Sequence, residues 1–500
     1  MSAALNPDRS EWDVIVIGGA PPGENVAQYA SQFSGLDVVI VERSLVGGEC
    51  SYWACMPSKA LLRSVEVFEA GRNLGGVKEI VADRELDVSA VLARRDTIVH
   101  HHDDSSQVEW AIGAGIDVIR GHGRLAGIRR VEVTTPDGSV RTLTARHAVA
   151  LDTGSSPSIP PVDGLQDARP WTSRDVTNLH QIPHRVVVIG GGVVACEAST
   201  WLRALGVAEV TIIEGSSRLL GKNEPFASEL VEQRFRDTGV TVRTNTRAAS
   251  VQRDVVGDAG EGYVHGGEVV VTLDNGDIVR ADEIIVAAGR TPNSADIGLE
   301  TVGLKSGGFI TVDDHFTVDG ADGDWLYAVG DLCGRALLTH MGKYQARLAG
   351  EVIAARAAGQ SLDGGAFTKY ADVADHGAIP QVTFTDPEVG SAGLTEQQAR
   401  TAGMDIEVVE YDMAALAGTY LLRDDYVGRA KLVVDRASDT LVGATFAGAG
   451  IAELVHSATV AVVGKVPVSA LWHVVPSYPT ISEIWLRLLE TLDHQRRSPK

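Results

Sequence analysis

The chain of 500 residues has only four cysteines, 5% aromatic residues, and 44 basic against 66 acidic side chains. So few cysteines in so long a chain exclude a secreted disulfide framework. The net charge of −22 argues against nucleic acid as a partner, because binding phosphate needs a basic face. No apolar run has membrane-spanning length, and Met1 to Glu11 lack the apolar core of a signal peptide. We therefore expect a cytoplasmic protein without a membrane segment and with about two to four domains.

Two of the cysteines, Cys50 and Cys55, lie five positions apart between Gly47-Gly48 and the helix-forming run Ala60-Leu61-Leu62. A disulfide needs alpha carbons about 4.4–6.8 Å apart, whereas five helical residues rise about 7.5 Å. Pairing would therefore require an irregular backbone, such as a loop that enters a helix. The helix N-terminus and Lys59 would then favour a thiolate. The spacing leaves open a reversible dithiol/disulfide or two ordinary core cysteines.

Metal binding is disfavoured at two places in the sequence. A zinc site wants four ligands, and the other cysteines, Cys196 and Cys333, lie far from the pair. The run His100-His101-His102 lies in a segment, Val88 to Gly113, that is predicted to be helical. Consecutive helical side chains point in different directions, so we interpret the histidines as a solvated helix face and predict no metal site.

A glycine-rich loop follows the first apolar strand. The β-branched run Asp13–Ile17 predicts a buried strand, the loop is Gly18–Gly23, and a helix is expected from Glu24 to Phe33. A second strand, Leu36–Val41, ends in Glu42, 19 positions after the last glycine. This order is typical of a dinucleotide-binding unit, in which the helix N-terminus faces a pyrophosphate and the acid binds a ribose.

The pattern occurs a second time. Strand Arg185–Ile189 leads into Gly190–Ala195, a helix from Cys196 to Leu205, and strand Val210–Ile213 that ends in Glu214. Two such units predict two nucleotide cofactors. In the first loop Ala20 stands where a second glycine would let the backbone approach the phosphates, which is a cost. In the second unit Glu214 would accept from a free 2′-hydroxyl and repel a 2′-phosphate, which favours NADH over NADPH, although nearby Arg218 could soften that preference.

Gly47 to Leu62 resembles the active-site signature of the pyridine nucleotide–disulfide oxidoreductases, which include dihydrolipoamide dehydrogenase, glutathione reductase and mercuric reductase. Thr153-Gly154-Ser155 and Ala287–Asn293 resemble the crossings between that family's flavin and nicotinamide domains. Phe316 to Asp331 resembles its second flavin motif, and the chain from Phe367 onward resembles its dimerisation domain. The resemblance implies an α/β fold with two Rossmann-like dinucleotide-binding domains, for FAD and NAD(P), plus a C-terminal α+β dimerisation domain.

The implied domains are residues 1–155 (FAD, first part), 156–286 (NAD(P)), 287–365 (FAD, second part), 366–492 (interface) and 493–500 (a disordered tail). The implied FAD-binding residues are Gly18, Gly23, Glu42, Gly48, Thr153, Gly154, Asp331 and His340. The implied NAD-binding residues are Gly190, Gly192, Glu214 and Gly289. Asp331 would accept from ribityl hydroxyls, whereas His340 could equally be a core histidine.

The resemblance also implies an electron path in a flavoenzyme oxidoreductase. Hydride passes from NADH to flavin, and electrons continue to the cysteines, with Cys55 facing the flavin and Cys50 exchanging with the substrate. Lys59 and Glu197 match a family ion pair near the flavin's reactive nitrogen. The implied assembly is a homodimer in which Tyr478 and Glu483 enter the neighbouring subunit's site.

At one position the chain departs from the family. Tyr478 stands where disulfide reductases place the acid/base histidine of a His-Pro pair, while Pro479 and Glu483 match. An unperturbed tyrosine has a pKa of about 10 and is a poor base at neutral pH. This puts lipoamide and glutathione in doubt as substrates. Mercuric reductases carry a tyrosine here, yet they also use C-terminal cysteines, and this chain has none after Cys333.

The acceptor is therefore expected to be a small molecule such as a quinone, an oxidised metal ion or another electrophile. Three functions remain possible at this stage. The first is a reductase whose cysteines turn over. The second is a diaphorase that reduces a quinone or metal ion directly from the flavin, with dispensable cysteines. The third is a non-enzymatic redox sensor.

Overall fold

The structure is a computed structural model that describes residues 9–257, 259–362 and 364–498. The strands, in chain order, are β1 (Glu11–Ile17), β2 (Val38–Glu42), β3 (Ile116–Arg120), β4 (His122–Leu125), β5 (Arg130–Thr134), β6 (Val140–Leu151), β7 (Ser155–Pro157), β8 (Arg185–Ile189), β9 (Glu209–Ile213), β10 (Val240–Arg243), β11 (Ala248–Arg253), β12 (Val269–Leu273), β13 (Ile278–Ala281), β14 (Glu283–Val286), β15 (Arg290–Pro292), β16 (Leu326–Ala328), β17 (Pro380–Thr383), β18 (Glu388–Gly393), β19 (Ile406–Asp412), β20 (Arg429–Asp435) and β21 (Thr440–Gly448).

The α-helices are α1 (Pro21–Ser31), α2 (Gly48–Tyr52), α3 (Cys55–Arg72), α4 (Lys78–Val81), α5 (Val88–Ile98), α6 (Ser105–Gly113), α7 (Ser173–Thr177), α8 (Val193–Ala204), α9 (Pro225–Asp237), α10 (Thr339–Ala357), α11 (Glu396–Thr401), α12 (Ala417–Leu422), α13 (Leu454–Val463), α14 (Val468–Leu471) and α15 (Ile484–Arg497). Short 3-10 helices are His100–His102, Leu299–Val302, Gly330–Cys333, Met413–Ala415 and Ile481–Glu483.

The chain divides into two compact units. The first comprises the described residues of Met1–Met56, Asp96–Ser156 and Arg290–His376. The second comprises those of Pro57–Arg95, Pro157–Gly289 and Gly377–Lys500. The segment 57–95, which we expected to belong to the flavin domain, clusters with the second unit, and the domain boundaries given above stay predictions.

The first unit is built on a seven-stranded sheet of order β3-β2-β1-β6-β5-β4, with β16 paired to β6. Strands β1, β2, β3, β6 and β16 run parallel, and Ile17 lies opposite Val41 on one side and Leu151 on the other. Five of the seven residues of β1 and four of the five of β2 are fully buried hydrophobics, because both sheet faces are covered. The carboxyl ends of β1, β2 and β6 therefore share one edge, where nucleotides bind in such sheets.

Helix α1 packs closely on α10 in this unit. A side chain at Gly350 would place its Cβ 2.7 Å from the Cβ of Tyr29 and 3.0 Å from the carbonyl oxygen of Val26. Gly342 is equally constrained, since a Cβ there would lie 2.7 Å from Cγ of Pro22. The two glycines let α10 lie close along α1, and Gly342 brings the beginning of α10 towards the glycine-rich loop.

The second unit contains a four-stranded parallel sheet of order β10-β9-β8-β14 and an antiparallel sheet of order β11-β12-β13. It also contains a five-stranded antiparallel sheet of order β17-β18-β21-β20-β19, against which α13 and α15 pack. The five parallel strands of the first sheet, the four-stranded parallel sheet and the C-terminal antiparallel sheet with its helices confirm the predicted fold class. Asn275-Gly276, a dipeptide typical of tight hairpin turns, joins β12 to β13, and Asp137-Gly138 joins β5 to β6 in the first unit.

Two local expectations are corrected. Helix α15 continues to Arg497, across most of the segment 493–500 for which we expected disorder, because its apolar face packs through Leu492. Residues 499 and 500 lie outside the described residues. The helix expected over Val88 to Gly113 is interrupted at His100–His102, where all three histidines have positive φ values of 51° to 58°. Left-handed backbone cannot continue an α-helix, so α5 and α6 are separate.

Candidate active site

The glycine-rich loop after β1 requires glycine at both of its ends. Gly18 has φ +107°, and a Cβ there would lie 2.0 Å from the carbonyl oxygen of Asp152. At Gly23 a Cβ would lie 2.1 Å from the carbonyl oxygen of Gly18. The loop therefore turns tightly between β1 and α1, as a phosphate loop must.

The alanine inside this loop is accommodated by a glycine from the redox segment. A Cβ at Gly48, which has φ +56°, would lie 2.6 Å from the Cβ of Ala20. The amide of Gly47 donates to the carbonyl oxygen of Gly19 over 2.7 Å. The methyl group of Ala20 is thus accommodated because Gly48 has no side chain, and the start of the cysteine segment packs directly on the phosphate loop.

Glu42 is held at this loop by two backbone amides. Its Oε2 accepts from Gly19 over 2.7 Å, and its Oε1 accepts from Ser44 over 2.6 Å. The carboxylate is half-buried at the carboxyl end of β2. This is the position of the acid that binds a nucleotide ribose in such folds.

Asp331 follows β16 at the same edge of the sheet. The hydroxyl of Ser155 donates to Asp331 Oδ2 over 2.5 Å and accepts from Arg290 Nε over 2.5 Å. The hydroxyl of Thr153 donates to the carbonyl oxygen of Asn293 over 2.8 Å, and the backbone amide of Asn293 donates to the carbonyl oxygen of Gly154 over 3.0 Å. The two crossing segments are therefore tied together in the first unit. The residues of this edge fit the groups of FAD: a tight glycine loop, a ribose acid and a second carboxylate that can accept from hydroxyls.

The cysteine pair lies where the backbone is irregular, as predicted. Cys50 belongs to α2, Cys55 is the first residue of α3, and Trp53 between them has the non-helical φ of −133°. Both cysteines are half-buried. The sulfur of Cys55 lies 3.4 Å from the hydroxyl oxygen of Thr339, the first residue of α10. A helix N-terminus and a hydroxyl both stabilise a thiolate, so Cys55 is well placed to carry one.

Sequence reasoning missed two contributors to this segment. No sequence signal pointed to Thr339, and His102 was expected to lie on a solvated helix face. His102 is half-buried, stacks on Trp53 at a centroid distance of 5.3 Å, and places Nε2 3.3 Å from the carbonyl oxygen of Tyr52. The positive φ values that break the helix turn this ring inward. His340, the second residue of α10, is exposed.

Two further cysteines are buried and unsuited to exchange. Burial raises the pKa of the Cys196 and Cys333 thiols far above the ordinary value. Reactive thiols need an accessible and electropositive setting. Cys50 and Cys55 are therefore the sulfurs available for chemistry.

Lys59 and Glu197 form the ion pair that the resemblance implied. Lys59 Nζ lies 2.6 Å from Glu197 Oε2, and Glu197 Oε1 accepts from the amide of Phe384 over 2.9 Å. Glu197 is 3% exposed, and the ammonium group also lies 4.9 Å from the centroid of the Phe384 ring. The lysine is thereby held in one position. Its role towards a flavin stays a prediction.

The second nucleotide loop has the same design. A Cβ at Gly190, φ +109°, would lie 2.4 Å from the carbonyl oxygen of Ala287. Gly192 caps α8, and Gly289 has φ +124°. Glu214 Oε1 accepts from the amide of Ser216 over 2.5 Å, which holds its carboxylate at the end of β9.

Arg218 is turned away from a role in binding phosphate. Its Nη2 donates to the carbonyl oxygens of Gly221 and Asn223, each over 2.9 Å. The guanidinium is thus committed to the backbone of its own loop. This geometry gives no support to the expectation that Arg218 softens the preference for NADH over NADPH.

Tyr478 and Glu483 lie in different surroundings. Tyr478 is 75% exposed, whereas Glu483 is 6% exposed. Glu483 Oε1 accepts from Arg487 Nη2 over 2.6 Å, and its buried Oε2 has no hydrogen-bond partner among the described residues. The glutamate is neutralised by an arginine one turn along α15 and needs no imidazole for that purpose.

Metal-like clustering occurs elsewhere in the part of the chain that the structure describes. Asp314, Asp372 and His376 place their ligand atoms within 4.8 Å of one another. Arg335 Nη1 lies 2.7 Å from Asp372 Oδ2, so the guanidinium group already provides a positive charge to this cluster. No helix of the described ranges combines the length and apolarity needed to cross a membrane.

The fold and the site together define a redox protein with two nucleotide folds and a cysteine pair packed on the first of them. The family of pyridine nucleotide-disulphide oxidoreductases matches residues 12–353, and that family's dimerisation domain matches residues 379–488. The chain is 32% identical over 476 residues to a dihydrolipoyl dehydrogenase of Chlorobaculum tepidum, with 95% of both chains covered. It is 31% identical over 481 residues to a mercuric reductase of Streptomyces lividans, with 94% of both covered.

Solved structures show the same fold. The HOCl-induced flavoprotein disulfide reductase RclA of Escherichia coli, in its Cu(II) complex, matches with a TM-score of 0.80 at 22% identity, covering 96% of this chain and 99% of that one. LpdA of Mycobacterium tuberculosis matches with a TM-score of 0.79 at 23% identity, covering 97% of this chain and 100% of that one.

The chain belongs to the pyridine nucleotide-disulphide oxidoreductase family. It is an FAD-containing NAD(P)H oxidoreductase, and its dimerisation domain supports a homodimer.

Proposed function

We propose that this enzyme passes electrons from NADH, through FAD and a Cys50–Cys55 disulfide, to a small acceptor in the cytoplasm. The observation that carries the proposal is the packing of the cysteine segment on the first phosphate loop, through Gly48 on Ala20 and Gly47 on Gly19. FAD, when bound, supplies a centre that accepts hydride and releases electron pairs. One NADH and one proton then convert the disulfide into two thiol groups, and the acceptor restores the disulfide.

This chain's own residues divide the work. Thr339 and the start of α3 stabilise negative charge on the sulfur of Cys55, which leaves Cys50 as the exchanging sulfur. Lys59, fixed by Glu197, would supply positive charge to the reduced centre. Asp331 and Glu42 would orient hydroxyl groups of the cofactor.

The nicotinamide cofactor is NADH in this proposal. Glu214 is held by Ser216 at the end of β9, where it would accept from a free 2′-hydroxyl and repel a 2′-phosphate. Arg218 donates to Gly221 and Asn223, so it offers no compensating charge.

The acceptor is one that needs no acid/base help from the partner subunit. In this proposal Tyr478 and Glu483 enter the neighbouring subunit's site, where Tyr478 supplies a hydroxyl group and no imidazole. Glu483 is paired with Arg487, so it has no histidine to orient. Quinones and oxidised metal ions accept electrons without a proton shuttle to a thiol, and they suit this site better than lipoamide or glutathione disulfide.

The same observation supports a second candidate, a diaphorase that reduces quinones or metal ions directly from the flavin. Here the cysteines would be dispensable. The two candidates differ in the fate of electrons after flavin reduction, and the cysteine variants separate them.

The test is an anaerobic titration with NADH of the wild type and two matched variants. The wild type should consume about two equivalents of NADH, one for the flavin and one for the disulfide, with a long-wavelength thiolate–flavin band after the first. Cys50→Ser leaves the flavin-facing sulfur and should show that band before any NADH is added. Cys55→Ser should lack it throughout and should consume one equivalent.

Turnover with quinone, metal-ion and disulfide acceptors completes the test. Loss of acceptor reduction in both cysteine variants, with flavin reduction intact, supports the disulfide route. Full activity in both variants establishes the diaphorase instead. Tyr478→His together with Arg487→Gln should raise lipoamide reduction and leave quinone reduction unchanged, and Tyr478→Phe serves as the matched control.

A further inference from the structure

A carboxyl group occupies the first turn of α1, where a phosphate would be expected. The amide of Gly23 donates to Asp152 Oδ2 over 2.6 Å in a buried hydrogen bond. Pro21 and Pro22 have no N–H, and the amide of Glu24 is used by the carbonyl oxygen of Ala20 over 3.0 Å. Asp152 therefore takes the one first-turn amide hydrogen that the helix itself leaves over.

The second nucleotide fold shows that this carboxyl is not required by the architecture. Asp152 follows β6 beside Gly18, as Ala287 follows β14 beside Gly190. Ala287 has no side-chain acceptor. Residues 193–195 at the start of α8, unlike the two prolines of α1, all carry amide hydrogens. The first fold thus has an additional carboxyl group and fewer amide donors than the second.

Asp152 is surrounded by other acids. It is 3% exposed, and its Oδ1 faces Gly330, where a Cβ would lie 3.1 Å away. Burial and the negative charges of Asp331 after β16, Glu42 of β2 and Glu24 of α1 raise the pKa of Asp152 well above the ordinary value.

Glu24 is affected in the same way. Burial raises its pKa to about 7, although Lys343 of α10 opposes the shift, and its buried Oε1 has no hydrogen-bond partner among the described residues. The phosphate loop is therefore lined with carboxyl groups for which the neutral form is favoured.

FAD brings two further negative charges to this loop on its pyrophosphate. An ionised Asp152 would repel them and would keep the Gly23 amide for itself. A neutral Asp152 removes one charge and offers an O–H that can donate to an anion. Since a second anion stabilises the protonated form of a neighbouring acid, the two events are linked.

We propose that Asp152 is a cofactor-binding residue of the first nucleotide fold and that FAD binds to the form of the enzyme in which the carboxyl group of Asp152 is neutral. The proposal rests on the proposed function in one respect, that FAD occupies this loop. The sign follows from linkage: below the raised pKa of this carboxyl group the proton is already in place, and as pH rises through that pKa, FAD binding must take up a proton and therefore weakens.

The experiment measures FAD binding to the full chain after removal of the flavin. Flavin fluorescence gives the Kd between pH 6 and 9, and calorimetry in phosphate and in Tris buffer counts the protons taken up. The number of protons that the wild type takes up on binding should increase from zero towards one as pH rises, and its Kd should rise with it by up to about tenfold per pH unit.

Two matched variants assign the proton. Asp152→Asn keeps an acceptor for Gly23 and a permanent donor, so its Kd should be nearly independent of pH and lower than that of the wild type at pH 9. Glu24→Gln should retain the uptake. Equal proton uptake in the wild type and Asp152→Asn, or its loss in Glu24→Gln alone, would overturn the assignment.

The wild-type measurement also stands by itself should a variant fail to fold. No proton uptake between pH 6 and 9 would overturn the proposal without any substitution. Failure to bind FAD at every pH would instead remove the proposed function, so the two failures are distinguishable.

Discussion

The two nucleotide folds of this chain share one backbone design and differ in the chemistry of their loops. Both turn tightly after a buried strand, at Gly18 and at Gly190, and both end their second strand at an acid held by backbone amides. The first loop carries two prolines, a buried carboxyl and a contact with the cysteine segment. The second loop has Val193, Val194 and Ala287 at the corresponding positions, so it carries no proline and no carboxyl group there. The strand–loop–helix frame thus fixes where a nucleotide can bind. The loop side chains decide whether binding also depends on a protonated carboxyl group or on the neighbouring cysteine segment.

The largest effect is expected at the first glycine of each loop. Gly18→Ala places a methyl group 2.0 Å from the Asp152 carbonyl oxygen at a φ that only glycine adopts readily, so FAD affinity should fall about 100-fold or more and the protein should purify colourless. Gly190→Ala should keep its flavin and raise the KM for NADH about tenfold or more. Flavin absorbance per chain and NADH kinetics check both.

Circular dichroism of the two glycine variants provides the control. Equal loss of flavin in both, with folding intact, would contradict the assignment of the loops to different nucleotides.

The next effect concerns the contact that the first fold has and the second lacks. Gly48→Ala should weaken FAD binding about tenfold, because its methyl group would lie 2.6 Å from that of Ala20. Ala20→Gly should restore part of the loss, with a coupling energy of about 0.5–3 kcal/mol in the double-mutant cycle.

Gly192→Ala is the matched change in the second fold. A Cβ there meets no protein atom within 4 Å, so flavin retention should not change. Strict additivity of the Ala20 and Gly48 changes would show that the two residues do not constrain each other.

The acids at the ends of β2 and β9 should separate the cofactors further. Glu214→Ala should lower kcat/KM for NADH about tenfold and narrow the preference over NADPH, since a hydrogen bond to a charged group is worth about 1.5–3 kcal/mol. Glu42→Ala should weaken FAD binding by a similar factor and leave the preference unchanged.

Steady-state kinetics with both nucleotides checks the result. Arg218→Ala is the control, because its guanidinium donates to backbone carbonyls. A gain in NADH preference on removing Arg218 would show that the arginine does favour the 2′-phosphate.

The smallest effect distinguishes the sulfurs of the two folds. Thr339→Val removes the hydroxyl 3.4 Å from the Cys55 sulfur and should shift the thiolate–flavin band and raise the pKa of that thiol modestly, with kcat within about threefold. Cys196→Ala, which removes a buried thiol near the Gly191 carbonyl oxygen, should leave the band in place. An unmoved band in Thr339→Val would remove the hydroxyl from the site.

The sequence was sufficient for the fold class and for the positions of the loop glycines and strand-end acids in both nucleotide folds, because these depend on local periodicity and on turns that only glycine permits; their contacts with cofactors stay predictions. It was insufficient where a contact joins distant segments. The contact of Ala20 with Gly48 joins the residue before α1 to the first residue of α2, and the contact of Cys55 with Thr339 joins the first residues of α3 and α10. Asp152 stood beside the quoted Thr153-Gly154-Ser155. The available signal for Asp152 was an acid directly after the apolar strand β6, at the place where Ala287 follows β14 in the second fold.

The burial of Cys196 and Cys333 has a practical consequence. Alkylating reagents applied to the native enzyme should ignore both, so the labelled fraction reports the pair at 50 and 55 alone. The intact mass then gives the number of alkyl groups added before and after reduction by NADH. That number reports the redox state of Cys50 and Cys55 without a mutation or a chromophore.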